Sequence, residues 1–400
     1  MVLQNRFPPD IRVEKEARAL INEGYRIYLL TEESKGSGKE EMVNGIYVRR
    51  VLIKKKGNFL GKIDTLWLLL TFQHRVWERE IEKFVRDFKI EVLHIHDLPL
   101  LKIGIKIAKN KDIPIVADLH ENYPVMLEIY HHTKGIKDKI FNFFFRPKRW
   151  QVNERKCLEE ADRVIVVVDE AKERIINYRI SKDKIFVVSN MVDIEYFNSV
   201  KIDEEIINRY QEKFVISYLG KFGPDRGIDV VIKAMKYLQI RNVKLLLVGT
   251  GNQNYEEYLK NLAVTCKIGK SVEFAGWQPF SKVPSYIEAS DICLIPHKKN
   301  PHTDATIPHK LSQYMLMGKP VIVSNCQPLK RVVEETNSGL VFEAGDEKDL
   351  ADKVIALYRD RNLRENLGKN GRDAVLKRYN WQRESEKLVD LYKGLSKLKG

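Results

Sequence analysis

Short runs of apolar residues alternate with helical patterns along nearly the whole chain. Residues 164–168 are all valine or isoleucine, and residues 214–219 and 292–295 are predominantly apolar runs of similar length. Such runs are typical of strands that are buried on both faces, as in parallel sheets covered by helices. We therefore expect an α/β fold with right-handed crossovers, in which ligands bind beyond the carboxyl ends of the strands.

The alternation is interrupted by a polar and charged stretch near residues 193–213 and then starts again. A chain of 400 residues is also too long for one ordinary hydrophobic core. We therefore predict two Rossmann-like domains, residues 1–198 and residues 199–378. The sequence contains no short tandem repeat and no low-complexity linker.

The apolar segments and the cysteines disfavour several classes of protein. The longest apolar candidate, residues 66–72, is far shorter than the roughly 18 residues of a membrane span. The N-terminus lacks the basic and apolar regions of a signal peptide. The four cysteines are scattered, without the paired spacing of zinc or redox motifs. We therefore expect a protein of the reducing cytoplasm.

The formal net charge of +14 favours anionic partners. Residues 49–62 contain six basic and no acidic residues, and residues 131–150 contain six basic residues and one acidic residue, interleaved with phenylalanines. Basic residues mixed with aromatic ones suit peripheral contact with an anionic membrane surface. The alternatives are a solvated loop beside a core helix and a nucleic-acid contact, but the chain lacks a recognition-helix, zinc or stacked-aromatic signature.

Residues 306–324 predict a loop, a short helix and a buried strand. Pro308 suits the first helical turn, and Gly318 is placed to end the helix in a left-handed conformation. The start of the helix would present the N–H groups of residues 309–311, with the charge of Lys310 beside them. Backbone donors and a cation together favour an anion, and a phosphate best of all. The alternative is an ordinary loop–helix–strand unit of an α/β domain.

A second candidate anion site follows the run at residues 214–219, where residues 220–227 read Gly-Lys-Phe-Gly-Pro-Asp-Arg-Gly. Small residues let the backbone approach a ligand closely. Lys221 and Arg226 bracket the turn, so both could reach one diphosphate through charge-assisted hydrogen bonds. The alternative is a tight turn with two solvated cations. The glycine turn at residues 249–251 carries little weight alone, because many α/β domains have one.

The order and spacing of these and other short motifs resemble the retaining, nucleotide-sugar-dependent glycosyltransferases of family 4. The resemblance covers nearly the whole chain, and the matching segments are Phe7-Pro8-Pro9-Asp10-Ile11-Arg12-Val13, Asp118-Leu119-His120-Glu121, Asn190-Met191-Val192-Asp193 with Phe197, Gly220-Lys221 with Arg226-Gly227, Gly249-Thr250-Gly251, Gly276-Trp277, residues 308–323 and Tyr379-Asn380-Trp381. It implies the GT-B architecture, in which two Rossmann-like domains have parallel sheets that face a central cleft. The first domain would bind the acceptor and the second the nucleotide sugar, and residues 379–400 would form a helix that returns to the first domain.

The resemblance also implies roles for individual residues. In the family, two basic residues of the glycine-rich turn hold the donor diphosphate, and these are Lys221 and Arg226 here. His120 matches a histidine near the transferred sugar, and the alternative is a strand-end histidine satisfied by its neighbours. These three are the expected catalytic residues. The expected donor-binding residues are Gly220, Gly249, Gly251, Gly276, Trp277, Asp304, Thr306, Pro308, His309, Lys310, Leu311 and Gln313. In the family, the pocket for the base of the donor lies near the motif that Gly276-Trp277 matches.

The chain departs from the family pattern at two positions. The family usually carries two glutamates separated by seven residues, and Ala305 and Gln313 occupy those positions here. Gln313 can still accept from and donate to a ribose hydroxyl, and Asp304, one residue away, could contact the sugar. The Thr-x-Pro-x-Lys pattern that ends at Lys310 resembles subfamilies in which a lysine replaces part of the motif. The departure leaves the residue that contacts the sugar open.

The resemblance implies a hexosyltransferase-type enzyme (EC 2.4) that transfers a sugar with retention at the anomeric carbon. The donor would be a nucleotide sugar, with UDP expected and GDP second. The acceptor would be a glycan or a lipid-linked molecule at the cytoplasmic membrane face, in polysaccharide or glycoconjugate synthesis. No cofactor is expected, and no metal, because lysine, arginine and helix ends already offer positive charge to the leaving diphosphate. No nucleic-acid partner is expected, because the chain lacks the signatures named above. The alternative is a catalytically silent protein that binds sugar nucleotides or glycans.

Overall fold

The computed structural model describes residues 1–33, 38–53, 67, 70–130, 146–238, 240 and 242–396. Residues 54–62 and 131–145 of the two basic segments lie outside the described residues, so the expected membrane contact there has no structural description. Contacts divide the chain into two compact units. The first comprises Met1–Ser189 together with the end of the chain from Ser385, and the second comprises Asn190–Glu384.

The first unit is built on one sheet. Its strands are β1 (Val2–Arg6), β2 (Tyr28–Glu32), β3 (Glu40–Val43), β4 (Ile46–Val51), β5 (Leu93–His96), β6 (Ile115–Leu119), β7 (Arg163–Val166) and β8 (Ile185–Val187). Over the described residues they form an eight-stranded sheet in the order β3-β4-β2-β1-β5-β6-β7-β8. The edge strand β3 runs antiparallel to β4, and the other neighbours pair in parallel. The carboxyl ends of β5 and β6 therefore lie side by side.

Helices cover this sheet and supply much of its core. They are α1 (Ile11–Asn22), α2 (Arg75–Asp87), α3 (Leu101–Lys111), α4 (Tyr123–Tyr130), α5 (Pro147–Glu160) and α6 (Asp169–Ile176). Trp77 of α2 and Trp150 of α5 are among the largest fully buried side chains. The first helix begins at Asp10, whose carboxylate accepts from the N–H groups of Arg12 and Val13 and so satisfies two donors of the first turn.

The second unit contains an all-parallel sheet. Its strands are β9 (Phe214–Leu219), β10 (Val243–Val248), β11 (Val272–Gly276), β12 (Ile292–Ile295), β13 (Val321–Ser324) and β14 (Gly339–Phe342). Within the described part of the chain they form six strands in the order β11-β10-β9-β12-β13-β14. The pairing of β9 with β10 runs without a break from Phe214 opposite Val243 to Leu219 opposite Val248. The loops that follow these strands therefore lie together at one end of the sheet, where the carboxyl ends of the strands meet.

The helices of the second unit enclose that sheet. They are α7 (Ile194–Asn198), α8 (Glu204–Asn208), α9 (Ile228–Ala234), α10 (Gln253–Thr265), α11 (Val283–Glu288), α12 (Lys310–Leu316), α13 (Gln327–Thr336), α14 (Glu347–Arg359) and α15 (Arg361–Lys377). The last helix, α16 (Trp381–Ser396), begins in the second unit, and from Ser385 it belongs to the first. Over the described residues, the structure has no helix with both the length and the apolar content to cross a membrane.

The expected α/β class with two Rossmann-like units is confirmed, and the apolar runs that predicted β9 and β12 coincide with those strands. The sequence pattern also predicts a long helical stretch from about residue 67 to residue 88. The structure interrupts this stretch, because Phe72 adopts a φ of 57° and α2 begins only at Arg75. Strand β3 was not predicted. Its residues alternate between exposed and half-buried positions, so it lacks a buried apolar run.

Candidate functional site

Glycine-rich turns follow three neighbouring strands of the second unit and hydrogen-bond to one another. The N–H of Gly220, after β9, donates to the carbonyl of Val248 at 2.8 Å. The N–H of Gly249, after β10, donates to the carbonyl of Gly276 at 2.8 Å. The N–H of Phe222 donates to the carbonyl of the residue between the two glycines at 249 and 251, also at 2.8 Å. The predicted glycine motifs thus lie together at the carboxyl edge of the sheet.

This stacking requires residues without side chains. Gly220 and Gly249 have φ of 131° and 138°, in the region that favours glycine. A Cβ at Gly249 would lie 2.0 Å from the carbonyl oxygen of Gly220, and one at Gly227 would lie 1.7 Å from that of Pro296. A Cβ at Gly251 would lie 2.5 Å from a neighbouring carbonyl oxygen. The glycines therefore allow these turns to approach one another closely, while their predicted close approach to a ligand stays a prediction.

The ammonium of Lys310, at the start of α12, lies beside these turns. Its Nζ is 3.7 Å from the centre of the Tyr218 ring and 2.7 Å from the position of a Cβ on Gly220. Among the described residues no carboxylate lies within ion-pairing distance of it. Burial, and then repulsion by Arg226, lowers the pKa of Lys310 well below its usual value. The site thus holds a lysine that has no ion-paired carboxylate among the described residues, and an anionic ligand would favour its charged form.

Two histidines that the sequence analysis did not single out lie next to Arg226. The Nη1 of Arg226 is 3.4 Å from His297 Nε2, and its Nε is 3.2 Å from Asp225 Oδ2. Burial, followed by repulsion from Arg226, lowers the pKa of His297 well below its usual value and that of His302 to about 4. Both imidazoles are therefore neutral near pH 7. The sequence signal for His297 was its position just after β12, at the same sheet edge.

Lys221 is exposed at the mouth of the first glycine turn. The hydroxyl of Tyr218 donates to the carbonyl of Lys221 at 2.8 Å, so one tyrosine both orders this turn and supports the ammonium of Lys310. The hydroxyl of Tyr314, on α12, accepts from the N–H of Leu219 at 2.9 Å. These contacts tie the end of β9 to α12 and bring the two candidate anion sites of the sequence together.

The start of α12 differs in part from its prediction. The N–H of Leu311 donates to the carbonyl of Pro308 at 3.1 Å, so the expectation that this amide is available to an anion is wrong. The ring of His309 contacts the carbonyl of Met191 at 3.1 Å. Gly318 ends the helical segment with a φ of 67°, as predicted. Of the three amides predicted to be available to an anion, that of Leu311 is thus already hydrogen-bonded within the chain.

The residues around the missing glutamates have mainly structural contacts. Asp304 Oδ1 accepts from the N–H of Gln327 at 2.8 Å and so stabilises the first turn of α13. The hydroxyl of Thr306 donates to a backbone carbonyl at 3.2 Å. Ala305 and Gln313 are buried. The sequence predicted a possible sugar contact for Asp304, and the structure commits one of its two carboxylate oxygens to a helix cap.

The predicted base pocket begins where β11 ends. Gly276 has a φ of 67°, and nothing lies within 4 Å of a Cβ placed on it. Trp277, the next residue, is 70% exposed, which is unusual for an indole of this size. Trp277 directly follows Gly276, whose carbonyl accepts a hydrogen bond from the N–H of Gly249. The structure therefore presents an aromatic surface next to the glycine turns.

His120 lies at the end of β6 in the first unit, within a buried polar cluster. Asp118 Oδ2 is 3.1 Å from His120 Nε2, 3.0 Å from His96 Nδ1 and 3.2 Å from His94 Nε2. Among the protein groups alone, burial lowers the pKa of His120, but attraction to Asp118 outweighs it and raises the value to about 9. Within this cluster the sequence predicts a site role for His120 alone. The alternating His94 and His96, which share one face of β5, were the signal for the rest.

Two family models match consecutive parts of the chain. The model described as Glycosyltransferase Family 4 matches residues 11–196, and the model described as Glycosyl transferases group 1 matches residues 199–374. The first match falls in the unit that contains His120, apart from its last few residues. The second match contains the glycine turns together with Lys221, Arg226 and Lys310.

Similar curated proteins are glycosyltransferases. The chain is 23% identical to an uncharacterised glycosyltransferase of Methanocaldococcus jannaschii over 94% of this chain and 92% of that protein. It is also 23% identical to a phosphatidyl-myo-inositol mannosyltransferase of Mycobacterium leprae, over 81% of this chain and 78% of that protein.

Solved structures of the same fold cover nearly the whole chain. Sucrose-phosphate synthase of Thermosynechococcus elongatus superposes with a TM-score of 0.77 and 20% identity, covering 97% of this chain and 93% of that one. Anabaena HepE in complex with UDP-glucose superposes with a TM-score of 0.73 and 16% identity, covering 98% of each chain. From its two family domains and its fold, the chain belongs to the family 4 glycosyltransferases of GT-B architecture, transferases (EC 2.4) that use nucleotide-sugar donors.

Proposed function

We propose that the second unit binds the diphosphate of a UDP-sugar between Lys221, Arg226 and Lys310. The observation that carries this proposal is the ammonium of Lys310, held over Tyr218 at 3.7 Å beside the glycine turns. Among the described residues it has no carboxylate partner. Its surroundings lower the pKa of Lys310, and a bound anionic diphosphate would favour its charged form. UDP is preferred over GDP because Anabaena HepE, of the same fold, has been solved with UDP-glucose.

The cations would act chiefly when the bond to the sugar breaks. A sugar leaving a diphosphate passes through a transition state resembling an oxocarbenium ion, and negative charge grows on the leaving oxygen. A unit charge about 4 Å from that oxygen contributes about 4 kcal/mol at an effective dielectric constant of about 20. Preorganised positive charge is the largest single contribution that such sites make. Lys221, Arg226 and Lys310 can supply it without a metal at the diphosphate.

The finer roles follow from the same proposal. Gly220, Gly249 and Gly251 would let the backbone approach the diphosphate. The predicted contacts of Gln313 with a ribose hydroxyl and of Trp277 with the base remain part of this proposal. Six predicted donor-binding residues would shape the pocket through their backbone and their local hydrogen bonds. They are Gly276, Asp304, Thr306, Pro308, His309 and Leu311.

For the first unit we propose acceptor binding, with His120 near the transferred sugar. Among the described residues His120 Nδ1 is buried and has no hydrogen-bond partner, so this nitrogen could form a hydrogen bond with a sugar hydroxyl. Retention at the anomeric carbon is proposed from the family resemblance. An NMR assignment of the anomeric configuration of the product tests it, and an inverted product would contradict it.

The acceptor is proposed to be a glycan or lipid-linked molecule at the cytoplasmic face of a membrane, in glycoconjugate or polysaccharide synthesis. The support is the net charge of +14, the basic and aromatic composition of residues 131–150, and the relative that uses phosphatidyl-myo-inositol. Flotation with liposomes of anionic lipid should show binding that weakens with added salt. Absence of binding at low salt would remove the membrane part of the proposal.

Single substitutions test the donor site. We expect Arg226→Ala and Lys221→Ala each to lower turnover by about 10²-fold or more, by analogy with the loss of one oxyanion donor. Lys298→Ala is the matched control, because this lysine lies near the same edge but pairs with Asp229 at 3.1 Å. Turnover within about threefold of wild type for both variants would refute the assignment.

A donor-hydrolysis assay separates catalysis from binding alone. The wild-type protein should release free sugar slowly from a UDP-sugar in the absence of acceptor. A catalytically silent protein would bind the nucleotide sugar and release none. Because Ala305 and Gln313 replace the usual glutamates, this outcome decides whether the site without them is active.

A further inference from the structure

A buried cluster of four potential ligands lies in the first unit, in contact with His120, whose Nε2 is 3.1 Å from Asp118 Oδ2 and 3.2 Å from His96 Nδ1. His94 and His96 are two residues apart in β5 and share one face of the sheet, and His96 is paired in register with Asp118 of β6. Glu16 of α1 covers the same face. All four side chains are buried, and one ligand atom of each lies within 4.8 Å of the ligand atoms of the others.

The distances between these atoms suit a four-coordinate ion. Asp118 Oδ2 is 3.2 Å from His94 Nε2 and 3.0 Å from His96 Nδ1. Glu16 Oε2 is 3.9 Å from the same nitrogen of His94 and 4.0 Å from that of His96. Tetrahedral ligands about 2.05 Å from an ion lie about 3.4 Å from one another, which falls between these values. Small movements of side chains would complete the geometry.

The hydrogen bonds of the cluster leave its carboxylates poorly satisfied. Among the described residues, Glu16 Oε2 and Asp118 Oδ1 are buried and have no hydrogen-bond partner. The nearby guanidinium of Arg12 pairs with Asp10 at 3.3 Å. Two buried carboxylates that face each other need a cation or a proton between them. Asp118 Oδ2 already contacts three imidazole nitrogens, so the unpaired lone pairs of Glu16 Oε2 are the observation that points to a positive ligand.

One histidine of the cluster also has the outer hydrogen bond that is typical of metal ligands. His94 Nδ1 is 2.8 Å from the hydroxyl of Tyr392, on α16. This contact fixes the orientation of the ring and leaves Nε2 facing Asp118 and Glu16. Metal-binding histidines commonly use their second nitrogen in this way, and the contact sets which nitrogen is available to the ion.

We propose that Glu16 Oε2, His94 Nε2, His96 Nδ1 and Asp118 Oδ2 bind one divalent transition-metal ion, of which Zn²⁺ fits best. Two imidazoles and two carboxylates at tetrahedral spacing suit Zn²⁺, whereas Mg²⁺ prefers six oxygen ligands. The ion would connect α1, β5 and β6 and so stabilise the first unit. It is separate from the donor diphosphate, for which the sequence predicts no metal.

The experiment measures the metal content of the full-length protein after removal of any polyhistidine tag. The protein is treated with chelator, dialysed, incubated with Zn²⁺ or Mg²⁺, freed of unbound ion and analysed by elemental mass spectrometry. We expect about one Zn²⁺ per chain, no retained Mg²⁺ and a higher melting temperature with Zn²⁺. Co²⁺ in place of Zn²⁺ should give the strong visible absorption of a tetrahedral site.

The variants Glu16→Gln and His94→Ala should retain less than about a tenth of an ion per chain, since each removes one ligand. Glu16→Gln keeps the size of the side chain, and circular dichroism verifies that it folds. His74→Ala, a histidine outside the cluster, is the control and should retain the ion. Failure of the wild-type protein to retain Zn²⁺ or to gain thermal stability from it would overturn the proposal, and so would retention by a folded Glu16→Gln variant.

Discussion

Replacement of Gly249 by alanine tests how far the glycine turns control the donor site. An ideal Cβ at this position lies 2.0 Å from the carbonyl oxygen of Gly220, whereas real Cβ contacts are essentially never shorter than 3.0 Å. The carbonyl must therefore move by about 1 Å, and the adjacent Lys221 moves with it. A misplacement of about 1 Å can cost 10²-fold in rate. We expect kcat/KM for donor hydrolysis to fall by about 10²-fold.

The same substitution should also lower the free energy of unfolding. Gly249 has a φ of 138°, and forcing alanine into a sparsely populated region costs about 1–3 kcal/mol before the clash is counted. The control is Gly269→Ala, because nothing lies within 4 Å of a Cβ placed there and its φ is not positive. Donor hydrolysis and urea unfolding are measured for both. Hydrolysis by Gly249→Ala at the rate of the Gly269→Ala control would refute the reasoning.

Three further predictions concern other parts of the chain. Burial lowers the pKa of His302 from 6.5 to about 4, so the unfolded chain takes up the proton first as the pH falls. Between pH 7 and pH 5 the free energy of unfolding of the wild-type protein should therefore fall by about 2 kcal/mol more than that of His302→Gln, as measured by urea titration. Asp304→Ala should cost about 1 kcal/mol in the same assay at pH 7, because the N–H of Gln327 loses its acceptor. With a thiol reagent, Cys266 should react first, because the other three cysteines are buried and burial raises the pKa of Cys157 to about 12. Two or more fast thiols would contradict this.

The strands were the most predictable part of the fold. A continuous apolar run such as Ile292–Ile295 carries its own signal, because a strand buried on both faces needs apolar side chains at every position. Edge strands lack that signal. Glu40–Val43 pairs on one side only and alternates between exposed and half-buried residues, so its pairing with Ile46–Val51 depends on tertiary structure that the sequence pattern does not express.

The sequence could predict those features of the candidate site that depend on local backbone conformation. The positive φ of Gly220 and Gly249 suits the glycines that the sequence places in these turns, because this conformation is a property of the turn itself. By contrast, the hydrogen-bond partner of a side chain can lie far away in the sequence. Asp304 was considered for a sugar contact, but it lies within hydrogen-bond distance of the N–H of Gln327, 23 residues further along the chain. His297 was missed because its importance comes from its distance to Arg226.

The central claim is that Lys221, Arg226 and Lys310 form one binding site for the diphosphate of the donor. Calorimetric titration of the full-length protein with UDP and with UMP tests it most directly, because the two ligands differ by one phosphate. We predict that UDP binds at least about 10-fold more tightly, or about 1.4 kcal/mol, and that Arg226→Ala combined with Lys310→Met removes this preference while Lys298→Ala keeps it. Equal affinity of the wild-type protein for UDP and UMP, or an unchanged preference in the double variant, would contradict the claim.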